Sequence, residues 1–209
     1  MRDENVMRVV LLRHGKTAAN LEKRYAGRRS DASLCSEGVR ELEAFAPRLR
    51  ALMSDGRRVF SGALKRCVES ARILFPDVEP TVVEELTEID FGDFEGKTYA
   101  ELADDPRYQT WLESGGTTPF PGGESRSDFI KRTVESLEKA IEAAFAGRFE
   151  TTAIVCHGGN IMAFMSRMTG GEYFDFQVPP CGGYETTIRK TTRGFELESF
   201  NRVDDRLRA

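Results

Sequence analysis

At 209 residues, with 30 Lys and Arg against 34 Asp and Glu and a formal net charge of -4, the chain has the length of one domain. It lacks the basic excess of a nucleic-acid face or a polybasic membrane arm. Cys35, Cys67, Cys156 and Cys181 form no CxxC pair, which argues against a disulfide framework or a closed zinc site. The N-terminal MRDENVMRVVLL is acidic before an apolar run that Arg8 interrupts, so it reads neither as a signal peptide nor as a membrane span. The expectation is a cytoplasmic protein acting on a small molecule, without nucleic-acid or membrane partners.

In chain order, MRVVLL (7–12) predicts a short buried strand that ends at Arg13 and His14. SEGVRELEAFAPRLRALM predicts a helix capped by Ser36, with Leu42, Phe45, Leu49 and Leu52 near helical spacing and a kink at Pro47. RRVFSG (57–62) predicts a strand, ALKRCVESARILF a helix with Leu64, Cys67, Ala71 and Leu74 on one face, and TVVEEL a further strand. A Gly-punctuated stretch from about 92 to 123 carries Tyr99, Tyr108, Trp111 and Phe120 and reads as a short helical lid. A long helix is expected from Ser125 to about Ala146, then a strand at TTAIVC (151–156), a helix over NIMAFMSRMTG closed by glycine, and a C-terminal hairpin from YETTIRK and GFELESF.

Strands alternating with helices predict a three-layer α/β/α fold with a mostly parallel central sheet, here a single domain over residues 1–209 with the insertion at 92–123. Ligands of such folds bind beyond the carboxyl ends of the strands. The only two histidines, His14 and His157, each follow an apolar strand and precede a glycine, so neighbouring parallel strands would deliver both to one rim. Arg13 beside His14 offers a guanidinium for phosphate or carboxylate oxygens, and Gly15 would let a ligand approach the backbone. Two histidines without HxH or HExxH spacing, next to an arginine, make a poor metal set and favour an anion.

Taken in order, LLRHGKTAAN, YAGRRSDASLCSEGVREL, VFSGALKRCVESA, LTEIDFGDFEGKTYAEL, FPGGESRSDFIKR and AIVCHGGNI resemble the motifs of the histidine phosphatase superfamily from about Val9 to Met162. The resemblance implies a phosphoglycerate mutase-like fold, no metal and no cofactor. It implies that His14 is the nucleophile and becomes phosphorylated, and that Arg13, Asn20, Gly27, Arg66, His157 and the Gly158 N–H hold the phosphoryl or the substrate. Nearby arginines would keep His14 unprotonated, while the phosphate would keep His157 charged. Glu88 matches the family's acid by its spacing from Phe91-Gly92. Asp90, two residues on along an expected strand, is the reserve candidate. Asp93 and Glu95 read as a solvated acidic loop, and Lys16, Lys23, Arg24, Arg28 and Arg29 receive no role. The sequence departs from the family where Lys16 replaces a frequent Glu and where SGAL precedes the second arginine.

Mutases of the family carry a longer insertion with paired arginines, whereas residues 97–122 offer only Lys97 and Arg107. A phosphatase acting on a small phosphorylated metabolite, most like the α-ribazole and broad-specificity branch, is therefore the expected activity. A mutase is the alternative, and a non-catalytic phospholigand-binding module is the alternative of another class. The lid aromatics read equally as packing or as walls for an apolar leaving group. Assembly is expected to be monomer or homodimer.

Overall fold

The apolar run before Arg13 forms β1 (Val6–Arg13), and β2 (Arg58–Gly62), β3 (Thr81–Val83), β4 (Thr151–Cys156), β5 (Gly183–Thr191) and β6 (Gly194–Arg202) complete one sheet in the order β3-β2-β4-β1-β5-β6. The first four in this order are parallel, and the C-terminal hairpin adds β5 antiparallel to β1, with β6 at the edge. In this computed structural model, residues 3–53 and 56–203 are described, so residues 1–2, 54–55 and 204–209 of the expected domain lie outside them.

Helix α1 (Ala18–Leu21) is one turn, and α2 (Ser36–Ala51) and α3 (Lys65–Leu74) are amphipathic. Two short helices, α4 (Tyr99–Leu102) and α5 (Pro106–Glu113), occupy the insertion, before α6 (Arg126–Ala146) and α7 (Gly158–Thr169). Period-two alternation in the central strands assigns the layers. Val10, Leu12, Ala153 and Val155 pack with Leu42, Leu49, Ala71 and Leu74 of α2 and α3. Val9, Leu11, Ile154 and Cys156 pack with Leu137, Ile141, Ile161 and Phe164 of α6 and α7. Both faces are thus covered, as a parallel sheet requires. The insertion has an apolar cluster of its own, in which Phe94, Leu102, Tyr108 and Phe120 meet Phe129 of α6 and Ala163 of α7.

Several local expectations differ from what forms. The cap of α2 is Cys35, whose sulfur accepts from the Gly38 N–H at 3.5 Å, and Ser36 is the first helical residue. Pro47, where a kink is expected, lies inside this helix. The helix after β4 begins at Gly158, two residues earlier than its apolar pattern indicates, because the Asn160 side chain accepts from the His157 N–H at 3.1 Å and closes the first turn. Gly170 ends it at φ 72°, where the absent side chain removes the steric cost. Glu88 and Asp90 lie on irregular backbone beyond β3, not on a strand.

Candidate active site

Register sets the position of the two histidines. Arg13 of β1 is paired with Cys156 of β4, so the residue after each leaves the sheet at the same level. The His14 N–H donates to the Cys156 carbonyl at 3.0 Å, and the two imidazoles meet edge to face with centroids 5.1 Å apart. Both rings are buried, and burial is the first cause holding each well below the usual value of 6.5. Arg66 and Arg13 push His14 down further, and Arg66, His14 and Arg13 do so for His157. Burial and these neighbours thus favour the neutral form of His157, and the charge expected from the sequence depends on a phosphate beside it. His14 Nδ1 lies 2.7 Å from the Gly15 carbonyl, which can only accept, so the proton is on Nδ1 and Nε2 keeps its lone pair.

The second arginine arrives from α3. Arg66 is 1% exposed, and its Nη atoms donate to the carbonyls of Ala26, Gly27 and Ser30. Arg13 Nη1 donates to the Val178 carbonyl at 2.8 Å. The Nε–H groups of both arginines are buried without a partner. A buried donor left unmet costs about 1–3 kcal/mol, and two such donors beside a neutral histidine form a site that an oxyanion completes. The N-terminus of α7 at Gly158 adds its own positive polarity.

Glu88 reaches the same place from the segment after β3. Its Oε1 accepts from its neighbour's Ile89 N–H at 3.0 Å and its Oε2 from the Gly159 N–H at 3.1 Å. Arg132 and Asn160, which the sequence reading did not single out, hold that segment. Arg132 donates to the carbonyls of Glu85, Thr87 and Glu88 and pairs with Glu124, while Asn160 Nδ2 donates to the Thr87 carbonyl and to Thr133. Only the helical position of Asn160, three residues after His157, hinted at its role.

Arg13, His14, Asn20 and Glu88 line a cavity of about 370 Å³ whose walls include Tyr25, Phe91, Trp111, Phe120, Met162 and Tyr173. Arg66, His157 and Gly158 are buried behind this lining, with Gly158 packed on the Arg13 guanidinium. The Oδ1 of Asn20 is occupied by the Thr17 N–H and hydroxyl, which leaves its amide NH₂ as the group that can face a ligand. Gly27 stands outside the cavity lining: its N–H goes to Glu95 at 2.9 Å and its carbonyl to Arg66, and a Cβ there would overlap the Ile89 carbonyl. Gly15 does not open the backbone to a ligand. It makes room for Leu42 and donates its N–H to Ser70 at 3.0 Å.

The acidic segment divides differently from its sequence reading. Asp90 is bound to Arg29 at 2.8 Å and caps the Gly92 N–H, away from the cavity, which removes the reason for holding it in reserve. Glu95 accepts from Gly27, Arg29 and Ser30 and is a support, not a solvated charge. Asp93 pairs with Arg107 at the surface. Lys16 is taken up by Glu37 and Glu41, while Arg24, given no role from sequence, lines the cavity. Among the aromatics, Tyr99 is 62% exposed and Tyr108 is buried, whereas Trp111 and Phe120 form wall. Among the described residues, no three His, Cys, Asp or Glu side chains converge as a metal-binding group, and no helix is long and apolar enough to cross a membrane.

The family described as the histidine phosphatase superfamily, branch 1, matches residues 9–203. A bifunctional protein of Mycobacterium tuberculosis is 39% identical over 140 residues, which are 64% of this chain and 37% of that protein. The chain thus matches little more than a third of the length of that relative. A 2,3-bisphosphoglycerate-dependent phosphoglycerate mutase of a Methylobacterium species is 30% identical over 176 residues, covering 78% and 80% of the two chains. The α-ribazole phosphatase of Shigella flexneri has the same fold, with a TM-score of 0.77 at 24% identity over 93% of this chain and 96% of that one.

Proposed function

This chain belongs to the histidine phosphatase superfamily, branch 1, and on that premise we propose that it is a phosphomonoesterase working through a phosphohistidine on His14. One observation carries the reading: His14 Nδ1 is tied to Gly15, which leaves a neutral Nε2 lone pair on a ring that feels two arginines with unmet Nε–H donors. In the first step Nε2 attacks phosphorus and the bond to the leaving oxygen breaks. Arg13, Arg66 and the start of α7 receive the charge spread over the equatorial oxygens. Glu88 passes a proton to the leaving oxygen, then takes one from the water that attacks phosphohistidine and breaks the N–P bond. His157, buried against His14, donates to a phosphoryl oxygen, and the Asn20 amide closes the near side.

Hydrolysis is favoured over mutase action by the fate of the insertion's charges. Arg107 pairs with Asp93 and Asp105 and does not reach the cavity, so the insertion supplies no cation to retain and turn a phosphorylated acid. The segment at 92–123 acts as the lid. No metal enters the scheme, so EDTA is expected to leave turnover unchanged. The likeness to an α-ribazole phosphatase makes α-ribazole phosphate one metabolite to assay, beside 3-phosphoglycerate with its bisphosphate.

The test is direct. With a ³²P-labelled substrate, a base-stable, acid-labile label should appear on the wild-type protein and be absent from His14→Ala, with loss of hydrolysis. A His14→Ala protein that turns over phosphate esters at the parent rate overturns the assignment.

A further inference from the structure

Three arginines line the cavity, and their partners differ. Arg13 belongs to the phosphoryl end. Arg24 is neutralised by Glu22 at 2.6 Å and Glu101 at 2.9 Å. Arg126 is not neutralised: its Nε donates to the Gly116 carbonyl at 2.9 Å, its Nη2 to the Gly115 carbonyl, and its guanidinium lies over the rings of Tyr173 and Phe174 at 5.5 and 5.2 Å. Among the described residues no ion pair joins Arg126 to a carboxylate. Neighbouring arginines are paired: Arg29 with Asp90, Arg107 with Asp93, Arg132 with Glu124. Carbonyls and ring faces orient a guanidinium without cancelling its charge, so Arg126 is a fixed cation held half-buried in the wall.

Tyr173 bridges this cation and the start of α7. Its hydroxyl donates to the Gly159 carbonyl at 3.4 Å, beside Glu88, and its ring lies under Arg126. Tyr173 lines the same cavity as His14 and Arg126, so a ligand that lies along it can meet both. The space between is walled by Tyr25, Phe91, Trp111, Phe120 and Met162, which offer flat apolar surface.

We propose that Arg126 is the specificity-determining residue of this site, selecting phosphomonoesters whose leaving group carries a second anionic group, carboxylate or phosphate. This rests on the phosphatase reading and names the substrate class of the same cavity. The side chain is a recognition residue and takes no part in bond making or breaking.

The test compares matched probes: 4-carboxyphenyl phosphate, its neutral methyl ester, and benzene-1,4-diyl bisphosphate as the phosphate arm. Arg126→Gln should raise KM for at least one of the two charged probes by about tenfold or more, the size of a lost charge-assisted hydrogen bond, while changing KM for the ester less than about twofold. The arm that responds identifies the second anion. Arg126→Lys, which retains charge without the fork, should keep part of the preference. Equal losses on charged and neutral probes in both variants would mean that Arg126 only holds the 115–116 turn, and would overturn the proposal; so would no change with any probe. Calorimetric binding of the same probes to His14→Ala and to His14→Ala/Arg126→Gln reads the preference without turnover. A catalytically silent wild type that shows this binding difference would sink the phosphatase reading and leave the recognition role standing.

Discussion

Glu88 and Gly159 fit each other to the exclusion of a methyl group: the Gly159 N–H donates to Glu88 Oε2 at 3.1 Å, and a Cβ on Gly159 would overlap Glu88 Oε1 and press on Phe129. The glycine is required by this close approach, since its backbone lies in an ordinary helical first turn. It lets a helix N-terminus come near enough to fix the carboxylate in the cavity that His14 also lines. Gly159→Ala should therefore displace the proposed acid by about an ångström and lower kcat by about 10²-fold for alkyl phosphates. An activated 4-nitrophenyl ester, which needs little protonation, should lose less. An equal fall for both esters would mean that the glycine matters only for packing.

Replacing Glu88 by Gln preserves size and removes the proton. kcat for alkyl phosphates is expected to fall by about 10²–10⁴, with a smaller fall for the nitrophenyl ester. Stopped assays over a series of leaving groups supply the slope. A slope identical to that of the parent would leave Glu88 with a structural role only.

The histidines make the protein sensitive to acid in a defined direction. Both are held below 6.5 by burial first and by cationic neighbours second, so between their folded values and 6.5 the unfolded chain binds more protons than the native one. Their full contribution is present above pH 6.5 and is lost as pH falls below it, at up to about 1.4 kcal/mol per pH unit for each histidine. Thermal midpoints measured from pH 8 to 5 should be flat at the top and decline below 6.5, less steeply in His157→Asn. The acid limb of kcat/KM should likewise lie below 6.5 and move upward in Arg66→Gln, which removes the next cause after burial. An acid limb above 6.5 in the parent protein would contradict this account of His14.

Glu95 gives a prediction that its sequence context concealed. It gathers the N–H groups of Gly27 and Arg29 and the Ser30 hydroxyl, and the carbonyls of that same turn, with Ala26, receive Arg66. Glu95→Ala should cost about 1–3 kcal/mol of stability in denaturant titration. Because it frees the support of Arg66, it should also weaken inhibition by vanadate, a five-coordinate phosphoryl mimic, by about tenfold. Stability lost with vanadate affinity intact would separate Glu95 from the phosphoryl site.

The fold and the meeting of the two histidines were legible because both rest on local patterns. Val9 to Leu12 and Ala153 to Val155 are apolar runs of strand length, and the turn from sheet to site is written as His-Gly twice. What stayed hidden depends on partners distant in sequence. Glu95 and Asp90 have the same chemistry in the same loop, and only tertiary pairing sends one to the 27–30 turn and the other to Arg29. Gly15 and Gly27 carry no mark distinguishing a glycine that admits a ligand from one that admits Leu42 or the Ile89 carbonyl. Arg126 reads as an ordinary first-turn helix residue until Gly115, Gly116, Tyr173 and Phe174 converge on it.

The chain's single tryptophan is placed to report on the aromatic part of the cavity. Trp111 stacks on Phe120 at 4.9 Å and on Tyr108 at 5.8 Å, lines the cavity, and buries its Nε1–H without an acceptor. An unmet N–H costs about 1–3 kcal/mol, so Trp111→Phe removes a penalty while leaving a smaller ring, and stability should change by less than about 1 kcal/mol. Trp111→Ala empties the stack and should cost about 3–5 kcal/mol. In the otherwise unaltered His14→Ala protein, phenyl phosphate should change Trp111 emission as its ring enters the aromatic walls, whereas inorganic phosphate, confined to the arginine end, should leave emission nearly unchanged. Equal responses to the two ligands would show that the indole senses the phosphoryl site instead, and would remove the aromatic walls from leaving-group recognition.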